Sequence, residues 1–144
     1  MKISLIRNVR QPSVSSEGSA GIDFYVPNDF RETRIGSLQS LLIPSGVKMA
    51  VPADHVLIAF NKSGVCSKYG LVVGACVVDS DYQGEIHMHV INTTLFNVVV
   101  TPGQKLMQFV LLPYVKQRIE IVSDANLFAS TSERGEKGFG SSGT

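Results

Sequence analysis

Glu85-Ile86-His87-Met88-His89-Val90-Ile91-Asn92 alternates polar and apolar side chains with a period of two. That period places Ile86, Met88 and Val90 on one face of an extended strand and His87, His89 and Ile91 on the other. One buried face and one polar face describe a strand of an antiparallel sheet. Working outward, the same grammar recurs. Upstream, Leu41-Leu42-Ile43 runs into the turn signal Pro44-Ser45-Gly46, and Val47-Lys48-Met49-Ala50-Val51 alternates until Pro52 stops it. Apolar runs at residues 55–60 and 71–78 and an N-terminal strand around Ile3 and Leu5 extend the pattern. Downstream, residues 97–100 end at Thr101-Pro102-Gly103, residues 106–112 end at Pro113, and Arg118-Ile119-Glu120-Ile121-Val122 alternates again. About nine or ten short strands at this spacing predict an all-β sandwich or barrel. A helical period is nearly absent, with one helical turn expected at residues 63–68 between two strands.

The chain has 144 residues, enough for one domain with a single core. It is 44% hydrophobic and 17% charged, which describes a folded chain and not a disordered one. The 13 basic and 12 acidic residues leave a net charge of +1. This argues against a broad nucleic-acid or membrane footprint and leaves room for a small anion site. No apolar run approaches the roughly 20 residues that span a bilayer, and the N-terminus does not read as a signal peptide. Cys66 and Cys76 are too few for a disulfide framework and are expected as small core residues in a reduced, cytosolic protein. Residues 129–144 hold four serines, four glycines and one aromatic, and are expected to form a mobile arm on a folded body of residues 1–128.

Four segments carry candidate chemistry, and each has a plain alternative. In the arm, Arg134-Gly135-Glu136-Lys137-Gly138-Phe139-Gly140-Ser141-Ser142-Gly143 offers close-approaching backbone donors, hydroxyls, a guanidinium and a ring for a base. It reads equally as a flexible tail, and it is not a P-loop. In Val77-Val78-Asp79-Ser80-Asp81-Tyr82-Gln83-Gly84, Asp79 and Asp81 share a face if the strand continues. Asp79, partly buried at a strand end, could serve as a general base; the segment also reads as an ordinary turn. Ser63-Gly64 could bind an oxyanion, or Ser63 could simply cap the short helix. His87 and His89 lack a third ligand at metal spacing and read as surface or interface residues.

Taken in order, these segments resemble the trimeric dUTPase family, with five motifs spread from Ala20 to Gly143. Ala20-Gly21-Ile22-Asp23-Phe24 is similar to the first motif. Lys62-Ser63-Gly64 is similar to the second, with lysine for the usual arginine and Asn61 for the usual proline before it. Residues 74–84 resemble the third motif. Gly103-Gln104-Lys105-Leu106-Met107-Gln108 resembles the fourth, again with lysine for arginine, and residues 134–143 resemble the fifth, with Lys137 for a common glycine. The resemblance implies a β-clip, or distorted jelly-roll barrel, of short strands with one helical turn and a C-terminal arm.

It also implies a reaction: dUTP and water give dUMP and pyrophosphate, with Mg2+ as cofactor. Asp79 is then the group that activates water. Asp23 helps place the magnesium through its water shell. Lys62, Ser63, Gly64 and Gln108 lie on the phosphates, while Lys105 is more structural. Gly74, Ala75 and Cys76 read uracil through backbone groups, and Tyr82 packs under the deoxyribose, leaving no room for a 2′-hydroxyl. Arg134, Ser141 and Ser142 hold the γ-phosphate, Gly140 supports them, and Phe139 covers the base. A homotrimer with shared sites is implied, in the cytosol, or a host-cell cytosol for a viral protein. Alternatives of the same fold are a relative of dCTP deaminase and a non-catalytic nucleotide-binding regulator. A β scaffold without a nucleotide site is the fourth.

Overall fold

The computed structural model describes residues 1–136. Its strands are β1 (Lys2–Leu5), β2 (Ser13–Val14), β3 (Ile22–Tyr25), β4 (Thr33–Ile35), β5 (Ser40–Pro44), β6 (Val47–Ala50) and β7 (His55–Asn61). One helix, α1 (Ser63–Tyr69), follows. The remaining strands are β8 (Leu71–Val73), β9 (Val77–Val78), β10 (His87–Asn92), β11 (Val98–Val100) and β12 (Lys105–Pro113). The all-β expectation and the single helical turn both hold.

The strands form antiparallel sheets with the orders β2-β3-β12-β7-β9, β5-β10-β8, β1-β6 and β11-β4. β12 is the spine of the largest sheet, because it pairs with β3 along one edge and with β7 along the other. Phe109 of β12 stacks tilted against Phe24 of β3, ring centroids 4.4 Å apart. The core gathers around them with Ile43, Leu57, Met88, Val100 and Met107, all fully buried. Burying each such side chain contributes roughly 1.5–3 kcal/mol. In β10 the alternation falls as read: Met88, Val90 and Asn92 point inward and His87 points outward. Gly46 supplies the positive φ, +75°, that the turn between β5 and β6 needs.

Three expectations change. The run at 71–78 is not one strand. Gly74-Ala75-Cys76 breaks it into β8 and β9, which pair in different sheets, with β10 and β7. Residues 118–122 form no strand in the described chain: Ile119 and Ile121 are 91% and 95% exposed. Alternation specifies a face, but a strand exists only where an edge offers hydrogen bonds, and from Pro113 to Glu136 every residue is exposed. Cys66 and Cys76 are half-buried and unpaired and are not full core residues. The short strands β2, β3 and β4 carry little periodicity, and pairing makes them.

Candidate functional site

Two clusters flank the end of β7. The first lies along the hairpin of residues 74–85. A cavity of about 200 Å³ is walled by Ala75, Cys76, Asp79, Tyr82, His87 and Phe109, among others. β9 ends at Val78, and a turn follows, closed by the Tyr82 N–H donating to the Asp79 carbonyl at 3.2 Å. The strand therefore does not continue, and Asp79 and Asp81 are not set on one strand face. Asp79 sits at the strand end as expected, but exposed and not partly buried.

Tyr82 is 45% exposed, and its hydroxyl donates to the Glu85 carbonyl at 2.8 Å. A Cβ at Gly84 would overlap the Tyr82 hydroxyl, so glycine there lets the ring fold back over the turn. Glu85 anchors the hairpin. Its Oε1 accepts from the Gly46 N–H at 2.7 Å and from Arg7 Nε at 3.0 Å. None of this anchoring was legible in the pattern, where Glu85 reads as one more polar residue.

The segment 74–76 is held by β10 and β7. The Gly74 N–H donates to the His89 carbonyl and the Ala75 N–H to His89 Nδ1, both at 2.9 Å, and the Cys76 carbonyl accepts from the Ala59 N–H at 2.8 Å. His89 Nδ1 must carry the lone pair, so His89 is a backbone clamp in its Nε2–H form. Gly74 lies against that ring so closely that a Cβ would collide with it. Among the described residues, the Cys76 N–H and the Ala75 carbonyl keep no backbone partner, and these can read a ligand's edge.

The second cluster sits where β7 runs into α1. Asp23 on β3 is only 1% exposed. Its Oδ1 accepts from Lys62 Nζ at 2.5 Å, and its Oδ2 accepts from Lys105 Nζ and Ser15 Oγ, each at 2.7 Å. Burial pushes this carboxyl up, but the bonds from Lys105, Lys62 and Ser15 outweigh it and hold the pKa at about 2. The bond to Asp23 in turn raises Lys105 above its ordinary value.

Lys62 caps α1 through its backbone. Ser63 is the first helical residue, exposed and not the cap, and Gly64 follows with open space around it. Gln108 of β12 lies opposite Asp23 and donates from Nε2 to the Asn61 carbonyl at 3.0 Å. Gly21 makes room for it, since a Cβ there would overlap the Gln108 amide. Asn61 joins the clusters, for its Oδ1 also accepts from the Val73 N–H at 2.7 Å. The sequence marked Asn61 only as an unusual neighbour of Lys62.

Arg134 lies in the exposed chain after residue 113. Phe139, Gly140, Ser141 and Ser142 lie outside the described residues. Among the described residues no group of three His, Cys, Asp or Glu could hold a metal. The donor set therefore does not form a protein cage. It fits an ion carried by phosphates and water, because a carboxylate offers about four lone-pair positions and Asp23 has three filled.

A family model described as dUTPase matches residues 7–143. A protein named deoxyuridine 5'-triphosphate nucleotidohydrolase from Orientia tsutsugamushi (strain Ikeda) is 35% identical over 134 residues, covering 92% of this chain and 87% of that protein. In fold, the chain is similar to the dUTPase of Staphylococcus bacteriophage 80alpha with dUPNHPP. The TM-score is 0.87 at 24% identity, over 99% of this chain and 98% of that one. It is also similar to a mutant dUTPase from phage phi11 of S. aureus, whose structure concerns coordination of a structural Mg(II) ion. There the TM-score is 0.76 at 19% identity, over 85% of this chain and 96% of that one.

Proposed function

Since this chain belongs to the dUTPase family, we propose that it hydrolyses dUTP to dUMP and pyrophosphate and that the two clusters divide the substrate between them. The observation that carries this reading is the cavity with Asp79 and Tyr82 in its wall, joined through Asn61 to a lysine, a serine and a glutamine suited to phosphate.

Asp79 accepts a proton from water as the water oxygen bonds to the α-phosphorus. The bond from that phosphorus to the bridging oxygen breaks, and pyrophosphate leaves with the electron pair. Positioning and charge neutralisation do most of this. Gly74, Ala75 and Cys76 frame the uracil. Cytosine would present a donor where an acceptor is required. Tyr82, folded back by its bond to Glu85, closes the space of a 2′-hydroxyl. Lys62, Ser63, Gly64 and Gln108 take the phosphates. Arg134, Ser141 and Ser142 take the γ-phosphate, Gly140 gives backbone room, and Phe139 covers the base as the arm of residues 129–144 folds onto the body of residues 1–128.

Mg2+, when bound to the substrate, supplies neutralisation of the developing phosphate charge. Asp23 would hold the hydrated ion through water and not as a direct ligand. The phage phi11 dUTPase, similar in fold, coordinates a structural Mg(II) ion, so a divalent ion is compatible with this fold.

The working form is a homotrimer with shared sites. Its support is the exposed apolar series after β12, with Val115, Ile119, Ile121, Leu127 and Phe128 all open on a single chain. A large exposed apolar surface marks an interface. No helix of the described chain is long and apolar enough to cross a membrane, and two unpaired cysteines suit a reducing cytosol, the host's if the protein is viral. Pyrophosphate release measured with dUTP, dCTP, dTTP and UTP, with and without Mg2+, tests the reading. Activity restricted to dUTP and lost without Mg2+ is expected. Ammonia release from dCTP, or no turnover of dUTP, would overturn it.

A further inference from the structure

The two positions where lysine replaces the family's usual arginine meet on one carboxylate. Lys62 reaches Asp23 from the end of β7 and Lys105 from the start of β12, one on each oxygen. The register shift between Lys105 and Met107 lies at the Lys105 end of this pairing. Lys105 Nζ also lies 5.5 Å from the centre of the Tyr25 ring.

We propose that Lys105 is a positioning residue for phosphate binding: it shares the Asp23 carboxylate with Lys62, so that the Lys62 ammonium keeps donors for the substrate and stays fixed beside Ser63. The charge count carries the argument. Asp23 with Lys62 alone is a neutral pair, with little pull on an anion. Adding Lys105 makes the cluster net +1. An ammonium has three donors; Lys62 spends one on Asp23 and keeps the others. Lys62 retains a partly open side chain, 23% exposed, whereas Asp23 is sealed beneath it. Without Lys105, the carboxylate Oδ2 would keep only the Ser15 hydroxyl, and Asp23 would draw Lys62 down onto both oxygens. Lys105, 37% exposed, is assigned its role through Asp23, and the double variant below separates this from a direct contact.

The proposal rests on the phosphate placement above, and the test separates the two. Lys105→Met, Lys62→Met and the double variant are compared in the full chain by KM and kcat for dUTP. Inhibition by inorganic pyrophosphate and by 2′-deoxyuridine, which has no phosphate, is measured alongside. Lys105→Met is expected to raise the dUTP KM about tenfold, the scale of one charge-assisted contact. It should weaken pyrophosphate inhibition similarly and leave deoxyuridine inhibition and kcat within about twofold. In the Lys62→Met background its effect should vanish, and Lys105→Arg should restore most of the loss. A KM unchanged in Lys105→Met, or effects that multiply in the double variant, would overturn the positioning role. A Lys62→Met enzyme with unchanged KM would instead remove Lys62 from the phosphates. If Lys105→Met does not fold, Lys105→Gln, which keeps a neutral donor, is read by the same criteria.

Discussion

Replacing Asp23 with asparagine should cost this protein stability in a way that depends on pH. The carboxylate is buried, and two ammonium groups and a hydroxyl hold it ionised. Its pKa falls from 3.8 to about 2 on folding, which corresponds to about 2.4 kcal/mol in favour of the folded state at neutral pH. Removing one partner of a buried ion pair costs about 3–5 kcal/mol. Asparagine keeps one acceptor oxygen, so the expected loss for Asp23→Asn is about 2–3 kcal/mol. The sign follows from the depressed pKa. The contribution is complete above pH 4, declines as pH falls between 4 and 2, and is gone below the folded-state value. Urea unfolding of both proteins at one fixed concentration, from pH 7 to pH 2.5, reads the gap. The chain has no tryptophan, so far-ultraviolet circular dichroism is the signal. A gap below about 0.5 kcal/mol at pH 7 would refute the ion-pair account. A gap of unchanged size at pH 2.5 would show that asparagine harms packing and that charge is not the cause.

Four further outcomes follow from the site. Asp79→Asn should lower kcat by about 10²–10⁴-fold, the range of a general base, while equilibrium dialysis still detects bound dUTP. Gly84→Ala forces the Tyr82 ring off the turn, so the ratio of kcat/KM for dUTP over UTP should fall by about tenfold, measured by parallel pyrophosphate assays. Gly74→Ala pushes against the His89 ring and should break the Ala75–His89 bond. A rise in dUTP KM with little change in kcat is expected from steady-state kinetics. Deleting residues 134–144 should remove most activity while thermal melting and sedimentation remain those of the full chain.

How much of this was legible in advance varies with the distance over which each feature is specified. β10 could be read because its signal is local: five consecutive alternations leave one solution for the buried face. The Thr101-Pro102-Gly103 and Pro44-Ser45-Gly46 turns were legible for the same reason, since glycine at φ +73° and +75° is a requirement of a few neighbouring atoms. Residues 118–122 show the opposite limit. Their alternation is as clean as that of β10, yet no edge pairs with them in the described chain. Asn92, the polar end of β10, reads as a strand terminus. In the fold it is buried and donates to the carbonyls of Ile35, Gly36 and Phe96.

Residue type and spacing alone were enough for the all-β class, the turn positions and the candidate groups at Asp79 and Ser63, while Tyr82 and Gln108 entered as candidates through the family resemblance. What those groups are tied to emerged with the folded chain. It brought Lys62, at the junction of β7 and α1, and Lys105 of β12 onto the Asp23 carboxylate of β3, set His89 as the clamp of Ala75, and locked the Tyr82 hairpin through Glu85 and Gly46. A charge or a hydrogen bond acts over a few ångströms of space, whatever number of residues lies between its partners along the chain. Such couplings exist only once β3, β7 and β12 have paired and drawn their ends together.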